Sequence, residues 1–547
     1  MVDSSLFRRW RRPPPLQCAG LILLVSCFAE AQPVAPARMC AEWEPAVGTL
    51  IRWPLGIPST LAVELASDDS LYVLVETESQ ENQARATFGS WGVNLDHCRF
   101  IYANTYSHWT RDWGPHSVFD GAGEWGIVDP VFTGYPWVPG CNNLTRGCGD
   151  FQESPRQGMR GYEEDDGVNA VLAGVFGCGN FELPAFLTGG NVMVDGHGTA
   201  FSTQQMLDEN AIWWTEVQFR ALASNYLGVF TYHFVSNPDI NGLQHVDCWA
   251  KLLDEETILV KELPSWHPEY TCIEEVVDEL AALVSPYGRP YRIVRVFCAS
   301  YSGNSTAAYT NSLILNRKVL VPLFGISSDA QALETYRGAM PGYEVIGFPW
   351  SAWYYYDALH CRTMGIFDRH MLRIWHRPLG EEIFEAPDYP LTAMIDDRSE
   401  EGLIPDSLKV YWRVDEGPWS WIPLMSAAGP DSFVAAIPGR PIGSTIDYFM
   451  AAADSSGRRE TLPRTVPEGF FRFTVAPSLD DVNVTFQEAG IVLSWVPVAG
   501  ATGYLVYSSS DAYHGFAVDE SGVLNATTWV APVPEAPRFY RVTAVAP

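Results

Sequence analysis

From Cys40 to about Trp375, apolar runs of strand length alternate with stretches of helical spacing. Leu71–Val75 and Tyr291–Val296 are short runs rich in β-branched and aromatic residues, as in buried strands. Ile258-Leu259-Val260 also reads as extended chain, whereas Thr271–Val284 reads as a helix. This alternation predicts an α/β region. Within it, the stretch from Tyr135 to Gly167 is rich in Gly, Pro and acidic residues. It predicts a long loop, and long loops inside compact domains are often functional. After Arg377-Pro378-Leu379-Gly380 the pattern changes. Leu408–Val414, Ser432–Ile437 and Ile446–Ala452 alternate or run apolar at strand length, with Gly, Pro and Asp turns between them, as in a β-sandwich. From Ser478 a third set begins, with Ile491–Trp495, Ala501–Tyr507 and Phe539–Val545 as its strands. The expected division is 38–375, 380–476 and 478–547, and no internal repeat stands out.

Three polar clusters interrupt the α/β region: Trp109-Thr110-Arg111-Asp112-Trp113-Gly114-Pro115, His245-Val246-Asp247, and Tyr355–Thr363 with Cys361 inside it. They supply a thiol, an imidazole and two carboxylates. That set suits nucleophilic attack on a cationic, planar carbon such as the centre of a guanidinium. On a strand, the adjacent His360 and Cys361 would point to opposite faces, which makes His360 a poor base for Cys361. His245 and Asp247, two positions apart, would project to the same side and offer a proton shuttle beside a fixed charge. Asp112 precedes a Gly-Pro turn and is expected at a strand end, outside a core. Each residue also has an ordinary structural reading. A lone cysteine is most often a small buried hydrophobe or half a disulfide. Asp112 alone reads as a turn residue, His245 and Asp247 as a surface pair, and Gly189-Gly190 as a turn. A thiol protease would need similar residue types.

The order of the segments favours one family. Ala41-Glu42-Trp43-Glu44-Pro45, Trp109-Thr110-Arg111-Asp112, Thr188-Gly189-Gly190-Asn191, His245-Val246-Asp247, Tyr309-Thr310-Asn311-Ser312 and His360-Cys361-Arg362-Thr363 occur in sequence across about residues 38–375. This set resembles the guanidino-group-modifying superfamily, in its bacterial peptidylarginine and agmatine deiminase branch. The resemblance implies Cys361 as nucleophile, His245 as general acid/base, and Asp112 and Asp247 as clamps on the guanidinium. Trp109 and Asn311 match positions lining the substrate channel. The implied fold is a five-bladed α/β propeller, followed by an immunoglobulin-like and a fibronectin type III-like β-sandwich. No metal or organic cofactor is implied.

The implied activity is conversion of peptidyl-arginine to peptidyl-citrulline and ammonia, with arginine-containing peptides or proteins as partners. Agmatine deiminase is the nearest alternative, and an inactive, extracellular binding protein is the second. Agmatine deiminases usually carry Glu before the Gly-Gly, where this chain has Thr188. Relatives that prefer C-terminal arginine hold its carboxylate with an arginine pair in a loop after the first catalytic Asp. The matching stretch, Val131–Trp137, has no arginine; Arg146, Arg156 and Arg160 lie further along and are the candidates for that task.

Length and composition set the frame. At 547 residues the chain is long for one domain and suggests three. Arg8–Arg12, the apolar run Ala19–Val25 and the small-residue site Ala29-Glu30-Ala31 read as an export signal over residues 1–31. Leu24-Val25-Ser26-Cys27 also resembles a lipoprotein box, with Cys27 lipidated. The run is too short to span a bilayer, so no transmembrane segment is expected and the protein is expected outside the cytoplasm. Eleven cysteines suit that compartment. Setting aside Cys18, Cys27 and Cys361 leaves eight, enough for up to four disulfides, with Cys141–Cys148 the expected pair. A net charge of −30 argues against nucleic-acid binding. It is compatible with a cationic substrate, and equally with an ordinary acidic surface.

Overall fold

The computed structural model describes residues 32–135, 138–139, 162–239, 241–476, 482–487, 490–498, 502–510, 516–534 and 536–545. The expected export signal, the Cys141–Cys148 pair, and Arg146, Arg156 and Arg160 lie outside the described residues. The chain divides into two compact units. The first runs to Arg369 without Ala281–Tyr291 and Met340–Tyr343; those two segments and His370–Pro547 make the second.

In the first unit one arrangement recurs in five separate sheets: an antiparallel strand pair, a helical crossover, and a further strand parallel to the second of the pair. His116–Phe119 and Trp125–Val131 are followed by Gly179–Phe186. Met193–Val194 and Thr199–Thr203 lead to Thr231–Val235. Ala250–Leu252 and Thr257–Glu262 lead to Arg292–Phe297. Leu313–Leu315 and Lys318–Leu323 lead to Glu344–Pro349. In the fifth sheet, Met364–Phe367 from the end of the unit pairs with Ala46–Arg52 from its start, and Ser70–Val75 follows in parallel.

Local sequence accounts for these elements. Thr257–Glu262 has neighbours on both edges and is covered on both faces, so its buried core Ile258-Leu259-Val260 reads as a continuous apolar run. Helix Glu216–Leu227 opens on a capping box between Thr215 and Gln218 and stops at Gly228, whose φ of 67° suits a left-handed cap. The predicted helix over Thr271–Val284 is Tyr270–Ala281. It stops before Pro286, which disfavours helical backbone at the residue preceding it. The Tyr135–Gly167 stretch is not loop throughout: Val138–Pro139 pairs with Asn241–Gly242, and Tyr162–Asp166 is a short helix.

In the second unit, two sheets feed one apolar cluster. One holds Leu372–Trp375, Asp388–Asp397 and Ser432–Pro438; the other is built on Lys409–Val414, Thr445–Ala453 and Phe471–Ala476. Tyr389, Leu391 and Ile437 from the first sheet meet Val410, Tyr448 and Phe473 from the second. A further cluster, centred on Leu493, Trp495, Val506 and Trp529, joins two more small sheets.

The disulfide expectation needs correction. Cys40, Cys98, Cys178, Cys248 and Cys298 are thiols, and Cys272 is disulfide-bonded. Most of these thiols are buried and serve as small hydrophobes, so four bridges cannot form.

Candidate active site

The polar residues singled out in the sequence come together on single helical turns, not on strands. Asp112 lies in the turn Thr110–Trp113, Gly190 in Gly189–Asn191, Asp247 in Val246–Cys248 just after His245, and Cys361 in His360–Arg362. This corrects the strand-based geometry. Neighbours on a 3₁₀ turn diverge by about 120°, not 180°, so adjacent side chains can serve one centre. His360 Nδ1 lies 2.8 Å from Asp247 Oδ2, and Cys361 Sγ lies 3.7 Å from the same oxygen. The expectation of Asp112 outside a core also fails, for Asp112 is 1 % exposed.

Gly190 marks the point of convergence. A Cβ added there would stand 2.6 Å from Asp112 Oδ1, 2.9 Å from His245 Nδ1 and 3.1 Å from Asp247 Oδ2. Asp112 Oδ1 accepts from the Gly190 N–H at 3.0 Å and Oδ2 from the Tyr135 hydroxyl at 2.7 Å. His245 Nδ1 is 3.7 Å from Asp112 Oδ1. Asn311, expected along a channel, sits on Cys361 itself. Its amide donates to Sγ at 3.2 Å, and its carbonyl accepts from the Cys361 N–H at 3.2 Å. Trp109 is half-buried and packs edge-on against Tyr135, with ring centroids 5.2 Å apart.

Burial dominates the electrostatics. It pushes the Cys361 thiol well above its usual range; the Asp247, Asp112 and Asp357 carboxylates add to this, and the Asn311 amide opposes it. Burial also raises Asp112, to about 6, with His245 opposing and the Asp247 charge adding. At Asp247, burial is outweighed by the hydrogen bond and charge of His360, and the carboxyl is held below its ordinary value. The resting site therefore pairs a neutral thiol with an Asp112 carboxyl short of positive charge, an arrangement that a bound cation would relieve.

Four further residues belong to the site. Gly190 reads in the sequence as part of a turn. Nothing local signals the bond from Tyr135 to Asp112. Glu42 belongs to the motif Ala41–Pro45, which assigns it no role, and Lys251 lies outside every motif. Glu42 accepts from Lys251 Nζ at 2.7 Å and lies 2.7 Å from His360 Nε2. Among the described residues, no His, Cys, Asp and Glu cluster is arranged to hold a metal ion.

The sequence model of the Porphyromonas-type peptidyl-arginine deiminases matches residues 38–366. A curated relative, the agmatine deiminase of Ectopseudomonas mendocina, is 24 % identical over 357 residues, covering 57 % of this chain and 90 % of the relative. The solved agmatine deiminase of Enterococcus faecalis covers 62 % of this chain and 100 % of its own, with TM-score 0.50 and 19 % identity. A Porphyromonas gingivalis protein, provisionally assigned as an arginine deiminase, covers 61 % of this chain and 99 % of its own, with TM-score 0.50 and 22 % identity. At these identities the structural likeness establishes a shared mixed α/β fold. The sequence match spans more than half of the chain and every turn that carries the site, and the chain belongs to the Porphyromonas-type peptidyl-arginine deiminase family.

Proposed function

We propose that this chain is a hydrolase of guanidino C–N bonds that releases ammonia through a covalent intermediate on Cys361. The observation that carries this reading is the meeting of Asp112, His245 and Asp247 around Gly190, beside the Cys361 thiol. Two carboxylates favour a flat, protonated guanidinium over its neutral form. Its charge offsets those carboxylates and favours the Cys361 thiolate. Sγ attacks the guanidinium carbon, and the C–N bond to one amino group breaks as His245 delivers a proton to the departing ammonia. A thiouronium remains on Cys361. Water, deprotonated by His245, adds to the same carbon; the C–S bond then breaks, leaving a urea product and restoring the thiol. Trp109 and Tyr135 supply an aromatic wall for the substrate's alkyl chain.

For the substrate, agmatine is supported by the relatives that span the catalytic region, which carry that name. Its product would be N-carbamoylputrescine. Peptidyl-arginine is the second reading. It is supported by Thr188 in place of the usual Glu, by the 1–31 leader, and by the extra region after residue 375, all of which suit an exported enzyme. In this reading the five sheets form a propeller, and 380–476 and 478–547 are immunoglobulin-like and fibronectin-like sandwiches. The test is ammonia release from agmatine, free arginine, and peptides with internal or C-terminal arginine. Turnover of agmatine alone removes the peptide reading, and the converse removes agmatine. Silence on all four, with Cys361 intact, returns the chain to the class of binding proteins.

A further inference from the structure

Glu42 stands outside the group proposed to touch substrate, yet it is bound to that group through one ring. Its Oε2 lies 2.7 Å from His360 Nε2, and the other ring nitrogen, Nδ1, lies 2.8 Å from Asp247 Oδ2. Both nitrogens face carboxylate oxygens, so one bare nitrogen would set a lone pair against a lone pair. Charges around Glu42 remove the alternative of a protonated carboxyl. Burial would raise it, but Lys251, His360 and Arg111 hold it well below the ordinary carboxylate range. A ring that donates from both sides satisfies both carboxylates.

The position of Glu42 is fixed from two further elements. Its Oε1 accepts from Lys251 Nζ and from the Ile314 N–H, each at 2.7 Å, and Arg111 Nη2 approaches Oε2 at 3.9 Å. The charged and titratable groups around Asp247 are His360 and Cys361 from one turn, Asp112 and Arg111 from another, His245 and Cys248 beside it in sequence, and Lys251. Of these, His360 makes the shortest contact to the carboxylate.

We propose that Glu42 is a positioning residue acting through His360: it keeps both ring nitrogens donating, and so fixes the charge and the aim of the Asp247 clamp. The inference rests on the reading of Asp247 as a guanidinium clamp. A rigid carboxylate meets the guanidinium in one orientation, whereas a carboxylate that can rotate or take a proton loses a charge-assisted contact.

Two readouts on the full chain test it. The first needs no turnover: the rate at which iodoacetamide modifies Cys361, followed by peptide mapping because other thiols are present. Cys361 lies beside the same Asp247 oxygen that His360 holds, so its reactivity reports on the charge there. In Glu42→Gln the amide can leave His360 with one proton, and modification at fixed pH should slow by about tenfold, the effect of about one pH unit in thiolate formation. The second readout is steady-state kinetics on the best guanidine. KM should rise about tenfold, equivalent to about 1.4 kcal/mol, with kcat changed less. Glu42→Gln also strips Lys251 of its partner and should lower the melting temperature for that reason alone; His360→Gln leaves the Glu42–Lys251 pair intact and should show the same two effects. A fall in melting temperature with both readouts unchanged would make Glu42 purely structural and overturn the proposal. If the wild-type chain turns over no guanidine, the proposed function fails, and the modification rate still decides whether Glu42 acts on Asp247 through His360.

Discussion

The hydroxyl of Tyr135 donates to Oδ2 of Asp112 at 2.7 Å, fixing a buried carboxylate from the side opposite its Gly190 contact. Burial lifts this carboxyl from 3.8 to about 6, and the Tyr135 bond is one of the forces pulling it back. Because the folded value is the higher one, this group's contribution to stability is greatest at low pH and declines as pH rises through about 6. The proposed guanidinium contact needs the ionised form. The ratio kcat/KM should therefore fall as pH drops through about 6. Tyr135→Phe removes a donor to the ionised form, so the fall should begin at higher pH. A pH profile of the two proteins side by side checks this; coincident acid limbs would disconnect Tyr135 from the titration.

Cys361→Ala should abolish ammonia release and leave the melting temperature close to that of the wild type, since it deletes the sulfur and little volume. Residual turnover by the purified variant would contradict the covalent mechanism.

Asp112→Asn and Asp247→Asn each remove one charge-assisted contact, worth about 1.5–3 kcal/mol when desolvated. Each should weaken guanidine binding by roughly 10- to 150-fold and reduce turnover as well. Calorimetry in the Cys361→Ala background separates binding from chemistry.

Gly190→Ala should be far more damaging than its single methyl suggests. The new Cβ would lie 2.6 Å from Asp112 Oδ1 and 2.9 Å from His245 Nδ1, inside contact distance of both. Activity should fall at least about a hundredfold, the scale expected when catalytic groups move by about 1 Å. Near-normal activity would show that the three groups do not need their resting positions.

Among peptide substrates, internal and C-terminal arginines should be accepted comparably. The stretch Val131–Trp137 holds no arginine, and Tyr135 within it is already committed to Asp112. Specificity constants for a matched peptide pair measure this. A preference of about a hundredfold for the C-terminal form, equal to about 2.7 kcal/mol, would instead assign the carboxylate to Arg146, Arg156 or Arg160.

What was legible in the sequence followed from local rules. Leu71–Val75 and Ile258-Leu259-Val260 reveal themselves because a strand buried on both faces must be apolar throughout. Cys361, His245, Asp112 and Asp247 are legible only through ordered motifs, since no spacing rule links positions so far apart. The turns that carry them are not legible, because a single helical turn has too few residues to show a period. The fivefold repetition of sheets was hidden for a related reason. Crossovers differ greatly in length, from Val131 to Gly179 in one and from Leu323 to Glu344 in another. The bonds from Glu42 to Lys251, Ile314 and His360 join residues hundreds of positions apart. Nothing local in the chain announces them.

The pairing of Met364–Phe367 with Ala46–Arg52 sets an order in time. A growing chain delivers its amino end first, so Asp112, His245, Asp247 and Asn311 all emerge from the ribosome before Cys361. The strand that seats Cys361 begins only three positions after it, and its partner is among the first strands made. The thiol thus takes its place when the chain's beginning and the end of the unit meet. Until then a nascent chain holds the carboxylates and the imidazole without the thiol beside them. Under the proposed mechanism, turnover waits until the last strand of the unit has docked.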